Sequence, residues 1–362
     1  MTRRTAFALL SLTVATACGA RTDPSAGIDA GSTPSPSGGN GGDGGGMSPL
    51  GGNGGGGSDT GSSTEPSCAL TIDPTAIVQS LVTEGERIYY VATQGRVMSA
   101  DAQTGATTLL AQFRAQPVNI AIALALDADW LYFSFEEGPG VQALWRIAKT
   151  GGVPEQVAKG RVDNVYVDST GIYWTQFLTP DAKHEVFRRQ PDGTTLSLGV
   201  IDETYDELNG LFRGKAGLLV PTGSALLAFD PDGGGPTTIS GIAHIAYPFE
   251  RDAALFFNIE GGTPHGMFRT ALDGSMPQQL YDGSFARVIT DGQHWVFTSP
   301  FSDDHTLLAA SYPDGDASFL YKSPTFTPPR AVALTPTRLV LGAAYWELEV
   351  GIQSLCRASL GL

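Results

Sequence analysis

The sequence predicts an all-β chain, a seven-bladed β-propeller of four-stranded antiparallel blades. Three observations predict it. An apolar triplet, mostly aromatic or branched, recurs seven times: Ile88-Tyr89-Tyr90, Leu131-Tyr132-Phe133, Ile172-Tyr173-Trp174, Leu218-Leu219-Val220, Leu255-Phe256-Phe257, Trp295-Val296-Phe297 and Leu339-Val340-Leu341. The intervals between their starts are 43, 41, 46, 37, 40 and 44 residues, the spacing of propeller blades. A Gly or Pro falls every few residues and no unit carries a 3.6-residue apolar stripe, which excludes a helical solenoid of similar period.

Each unit supplies the parts of a blade in order. A first strand precedes the triplet, as in Ile120 to Leu126, Val165 to Val167 and Val288 to Thr290. The turn between them often carries Asp or Gly: Asp127, Asp168-Ser169-Thr170-Gly171, Asp252, Asp291-Gly292. A third strand follows, for example Leu144-Trp145-Arg146, Val186-Phe187-Arg188 or Met267-Phe268-Arg269. It ends in a tight turn such as Thr104-Gly105, Gly151-Gly152, Asp192-Gly193, Asp232-Gly233, Asp273-Gly274 or Asp314-Gly315, where glycine supplies the positive φ of a hairpin. A fourth, outer strand closes the sheet, as in Thr107 to Ala111 and Gln278 to Tyr281. The seventh unit shows no fourth strand after Gly351 to Leu360, whereas Cys68 to Ile72 has no place in the first blade. That segment is therefore expected to lie beside the last strand and close the ring.

Tyr173-Trp174-Thr175 resembles the YWTD type of propeller repeat, with Gln176 in place of its acid. The resemblance is to a broad group of six- to eight-bladed extracellular propellers, which includes the NHL and lactonase-like types. It implies an extracytoplasmic propeller and no one activity.

The chain divides into three parts. Met1-Thr2-Arg3-Arg4 and the apolar run Thr5 to Ala17 have the parts of a secretory signal, too short to span a bilayer as a mature helix. Ala15-Thr16-Ala17-Cys18 resembles the bacterial lipobox. The resemblance implies a signal peptide over 1–17, lipid on Cys18, and an exported lipoprotein at the outer membrane or cell surface. An ordinary signal cut near Ala17 or Ala20 is the other reading. Residues 18–66 are rich in Gly, Ser and Pro, with almost no branched apolar or aromatic side chain, and read as a flexible linker. Residues 67–362 remain for the propeller, enough for one large domain with a full core.

With Cys18 lipidated, Cys68 and Cys356 are an even pair in an oxidising compartment. If Cys68 to Ile72 closes the last blade, the two cysteines lie across from each other or one residue off, within disulfide reach. Two buried thiols are the alternative. The net charge of −15 and pI near 4.6 repel phosphate backbones, and no basic stripe with interleaved aromatics is present. Nucleic acid is therefore excluded as a partner, and the acidity reads as a solubility feature. The expected partners are the membrane, through the lipid, and a protein or small polar ligand bound by a monomer.

The sequence contains no GxSxG, HExxH, CxxC or GxxxxGK[ST], and no catalytic residue is assigned. Asp202 to Glu207 is acidic but lacks the central Gly and alternating spacing of a calcium loop, and reads as solvated. His184, His265, His294 and His305 fall in or beside predicted loops and are expected on the surface. Counting back eight to twelve residues from each triplet reaches the start of the innermost strand. Gln79, Asn119, Asn164, Asn209, His244, Arg287 and Arg330 stand there, all polar. Innermost strands start on one face of a propeller, so these seven are expected to ring the mouth of its channel.

Such a ring suits a polar or anionic ligand, or a peptide carboxylate, better than a divalent cation. Propeller lactonases, which the architecture resembles, hold calcium with Glu, Asn and Asp at such positions. The three asparagines match, but no carboxylate joins them, and Arg287 and Arg330 would repel the ion. No cofactor and no metal site is the resulting expectation, with calcium as the alternative. A mouth that is polar only because water fills it is the third reading. The sequence thus points to a membrane-anchored binding or scaffolding propeller. A metal-dependent hydrolase or lactonase is the alternative, and an assembly factor of the outer-membrane insertion type is a further one.

Overall fold

The fold is that of a computed structural model. It describes residues 68–362 except 79, 93–94, 114–122, 139–140, 179–182, 203–209, 252–253, 260–263, 273–274, 276, 284, 286, 299–305, 313–314, 316–317, 323–330 and 343–350. The signal, the lipobox with Cys18 and the linker lie outside the described residues.

The first strand is β1 (Leu70–Asp73). Blade 1 is β2 (Leu81–Glu84), β3 (Arg87–Ala92), β4 (Arg96–Asp101) and β5 (Thr107–Gln112). Blade 2 is β6 (Leu124–Leu126), β7 (Trp130–Gly138), β8 (Val141–Ala148) and β9 (Glu155–Lys159). Blade 3 is β10 (Val162–Asp168), β11 (Gly171–Leu178), β12 (Lys183–Arg189) and β13 (Thr195–Ile201). Blade 4 is β14 (Phe212–Gly214), β15 (Gly217–Pro221), β16 (Leu226–Phe229) and β17 (Pro236–Ser240). Blade 5 is β18 (Ile245–Arg251), β19 (Ala254–Ile259), β20 (Gly266–Ala271) and β21 (Gln278–Asp282). Blade 6 is β22 (Arg287–Thr290), β23 (His294–Thr298), β24 (Thr306–Ser311) and β25 (Ser318–Lys322). The seventh comprises β26 (Ala331–Leu334), β27 (Arg338–Gly342) and β28 (Ile352–Cys356), followed by the single-turn helix α1 (Arg357–Leu360).

All seven sheets are antiparallel and four-stranded, in sequential order in blades 1 to 6. The seventh has the order β1-β28-β27-β26, so the first strand of the domain closes the last blade as expected. Cys68 and Cys356 form the disulfide that this closure implies, with Cα atoms 5.8 Å apart. The innermost strands β2, β6 and β10 lie side by side, as do β14 and β18, and β22, β26 and β2. That arrangement is a ring.

The second strand of each blade is buried on both faces, which is why the triplets read as continuous apolar runs and not as alternation. In β3, Ile88, Tyr90 and Ala92 pack towards blade 7, while Tyr89 and Val91 pack towards blade 2. In β11, Ile172 and Trp174 face blade 2, and Tyr173 faces blade 4. Trp174 stacks on Phe187 with ring centroids 5.3 Å apart. The core is thus a circle of apolar layers between blades, with one continuous layer joining blades 4, 5 and 6.

Each antiparallel blade gives the molecule two ends. One, the mouth end, holds the starts of the first and third strands. The far end holds the turns between strands one and two and between strands three and four. At the far end, Asp side chains fold the turns. Asp127 Oδ1 accepts from the amides of Asp129 and Trp130, and Asp101 Oδ1 from those of Gln103 and Thr104. Gly105, Gly151, Gly193 and Gly233 take the positive φ expected of their turns, +73° to +97°. Gly217 opens β15 at φ +121°, where a Cβ would run into the carbonyl of Phe229 on the next strand.

The far end also carries side-chain ties between blades. Lys149 of blade 2 pairs with Glu84 of blade 1 at 2.6 Å. Arg188 of blade 3 donates to the Pro231 carbonyl and Asp232 of blade 4, and Arg213 of blade 4 donates to Thr170 and Tyr173 of blade 3. Arg357 bonds Asp291 and joins blade 7 to blade 6. Thr335 donates to Glu86 at 2.6 Å and joins blade 7 to blade 1.

Candidate functional site

The mouth end is where the predicted ring should stand. Gln79, Asn119, Asn209 and Arg330 lie outside the described residues, and Arg287 is placed only by its backbone, as the first residue of β22. Asn164 and His244 can be followed in full.

Asn164 is the third residue of β10 and is completely buried. Its Nδ2 donates to Thr175 Oγ1 at 3.3 Å, across the pair that joins β10 to β11. Its amide thus belongs to the wall below the mouth. His244 precedes β18 with φ +58°, alone among described non-glycine residues in the left-handed region, and its N–H donates to the Gly223 carbonyl at 3.2 Å. Histidine tolerates this conformation better than branched residues do. The side chain stays partly exposed at the end where β18 begins.

The best-built group at this end was not expected from the sequence. His184 is fully buried in β12, contrary to the surface position predicted for it. Its place follows from strand parity: it lies two residues from Val186, so both point towards blade 4. His184 Nε2 meets Asp163 Oδ2 at 3.1 Å, and Arg161 Nε donates to Asp163 Oδ1 at 2.9 Å. A carboxylate only accepts, so Nε2 is the donor of this bond. Asp163 reaches this position through a bulge: Val162 pairs with Gln176 and Asn164 with Thr175, leaving Asp163 as the extra residue. A bulge re-aims a side chain in this way. Phe177 closes the group, edge-on to His184 at 5.2 Å and under the Arg161 guanidinium at 4.9 Å. The signal in the sequence was the spacing of Arg161, Asp163 and Asn164 with His184 in phase with Val186.

Other mouth-end polar groups are used in the same way. Asp73, at the end of β1, accepts from the Thr75 amide and hydroxyl at 3.0 and 2.9 Å and from the Tyr90 hydroxyl at 3.2 Å. Arg96 stands 3.5 Å away. Burial, and then the Asp73 carboxylate, push the Tyr90 phenol up, so it remains a donor. In blade 2, Ser134 Oγ accepts the Ala123 amide at 3.0 Å. Asn258 of β19 donates to the Phe285 carbonyl at 2.8 Å, on the approach to β22. These bonds fix strand ends and inter-blade approaches.

Among the other histidines, His294 is half-buried in β23 near Asp291, His265 is exposed, and His305 lies outside the described residues. Asp202 is exposed and pairs with Lys183 at 2.6 Å, and the rest of its acidic run lies outside the described residues. Among the described residues, no three or more His, Cys, Asp or Glu side chains group closely enough to hold a metal ion.

No protein-family model matches the chain, and no curated protein matches it. Solved structures do. One described as YCF48 bound to D1 peptide aligns with TM-score 0.58 and 11% identity, over 80% of this chain and 94% of that one. An oligogalacturonate lyase in complex with manganese aligns with TM-score 0.60 and 12% identity, over 83% and 96%. A chain of a mitotic checkpoint complex gives 0.58 and 13%, over 81% and 95%. The likeness is one of fold. The group contains binding proteins and an enzyme, and a shared propeller does not choose between them.

Proposed function

We propose that this chain is an exported β-propeller lipoprotein acting as a binding or scaffolding module, held at the envelope by lipid on Cys18 and the tether that follows. The Cys68–Cys356 disulfide carries the reading. Structural disulfides persist in oxidising compartments, which agrees with the export signal read from residues 1–17. The mouth end supports binding over catalysis. Its described buried polar side chains, Asp163, Asn164, His184 and Asn258, are spent on holding the walls. His184 exposes no surface and cannot meet a dissolved substrate in this state. A structural neighbour described as bound to a peptide supports the idea that such an architecture receives a ligand of this kind.

A metal-dependent lyase or hydrolase is the second reading, favoured by a carboxylate and an imidazole standing together beside Asn164. The Arg161 guanidinium on the same carboxylate opposes a divalent ion there. Thermal unfolding of the mature chain separates the two, because a ligand that binds the native state raises the midpoint. The probes are calcium chloride, manganese chloride and a panel of short peptides with free C-terminal carboxylates. The binding reading expects a rise with a peptide that is lost in Arg287→Ala with Arg330→Ala, and no rise with either metal. A metal-driven rise that is lost in Asn164→Ala would reverse the order of the two readings.

A further inference from the structure

The strand directions fix where the tether leaves the ring. In the seventh blade, β26 runs from the mouth end to the far end, β27 returns, β28 descends again, and β1 ascends beside it. Cys68, two residues before β1, is therefore at the far end. Two contacts hold it there, and a third holds the strand that follows it. It is bonded to Cys356, the last residue of β28. Its carbonyl accepts from Arg338 Nη1 at 2.8 Å, and Arg338 opens β27. Leu70 packs beneath Gly105 in the far-end turn between β4 and β5.

We propose that the lipid tether emerges from the braced far end and presents the mouth away from the anchoring membrane. The mouth then faces a ligand in the aqueous phase and not the headgroups of the bilayer that holds the protein. The inference rests on the lipoprotein reading and adds a direction to it. Because Cys68 is covalently fixed to β28, pull on the tether passes into the seventh blade without peeling β1, whose register with β28 rests on three residue pairs. A coil of the length of residues 18–66 has an r.m.s. span of about 40 Å, so the domain can tilt, and the direction is one of averages.

The two ends of the outer strand β9 give a direct readout. Val153, before β9 at the far end, is 86% exposed, and Lys159, its last residue, is exposed at the mouth end. The five residues of β9 span about 13 Å along the strand. The full-length lipidated chain, as Val153→Cys or Lys159→Cys, is labelled with a donor dye and reconstituted in phosphatidylcholine vesicles containing an acceptor-labelled lipid. Higher energy transfer from the Val153→Cys position is expected. Equal transfer, or more from Lys159→Cys, would overturn the orientation while leaving the lipid anchor standing. Failure of the chain to bind vesicles, or binding that survives Cys18→Ser, would overturn the lipoprotein reading and this inference with it.

Discussion

Asp291 shows how one residue holds two blades. Its Oδ1 accepts from the amides of Gln293 and His294, both at 2.7 Å, while its Oδ2 meets the Arg357 guanidinium of blade 7. Burial alone would raise this carboxyl. The two amides and Arg357 more than offset that and hold it below the usual carboxylate range. A group depressed in the folded state contributes stability that is complete above its unfolded value and is lost as pH falls through the folded one. The wild-type chain should therefore lose stability below about pH 4, in part through Asp291. Asp291→Asn should be less stable at neutral pH by about 1–3 kcal/mol and show a shallower acid limb in urea unfolding. Wild-type stability in that variant at pH 7 would mean that the bridge does not hold the blades. At this scale the sequence was only partly legible. Asp291 was recognisable as a turn residue, but its partner lies 66 positions away on the closing blade. His184 was misplaced because a lone polar residue near a turn looks exposed unless its strand phase with Val186 is counted.

At the scale of elements, the triplets were legible because both faces of the second strands are buried and the runs recur at a steady spacing. The tight turns were legible through their glycines. Gly217 extends that logic to a strand start, since its φ and the nearby Phe229 carbonyl both exclude a side chain. Gly217→Ala should cost more than about 1 kcal/mol in chemical denaturation, whereas the same change at Gly233, where a Cβ meets nothing within 4 Å, carries only the φ penalty. Equal losses at the two sites would refute the close-approach argument. The bulge in β10 was not legible. An inserted residue changes which side chain faces the wall without altering composition, and Asn164 therefore sits inside the wall, with Asp163 turned to His184. Helix α1 was also missed, being a single turn that ends at Gly361 in the left-handed conformation.

The whole molecule has a polarity that its sequence only hints at. The far end is laced between blades by Lys149, Arg188, Arg213, Arg357 and Thr335. Among the described residues, the mouth end joins blades at Asp73 with Tyr90 and Arg96 and at Asn258 with the Phe285 carbonyl, and it carries Asn164 and His244 of the predicted ring. Ring closure was legible because the chain offers one unpaired strand at the start and one vacancy at the end, with a cysteine beside each. On the chain-entropy account, a bridge over 288 positions contributes up to about 5 kcal/mol, so both the closure and the export reading rest on it. Peptide mapping of the protein, isolated from its cells without reductant and alkylated before digestion, tests both at once. The account predicts a linked peptide pair containing Cys68 and Cys356 that separates on reduction. Recovery of both cysteines alkylated and unlinked would contradict it.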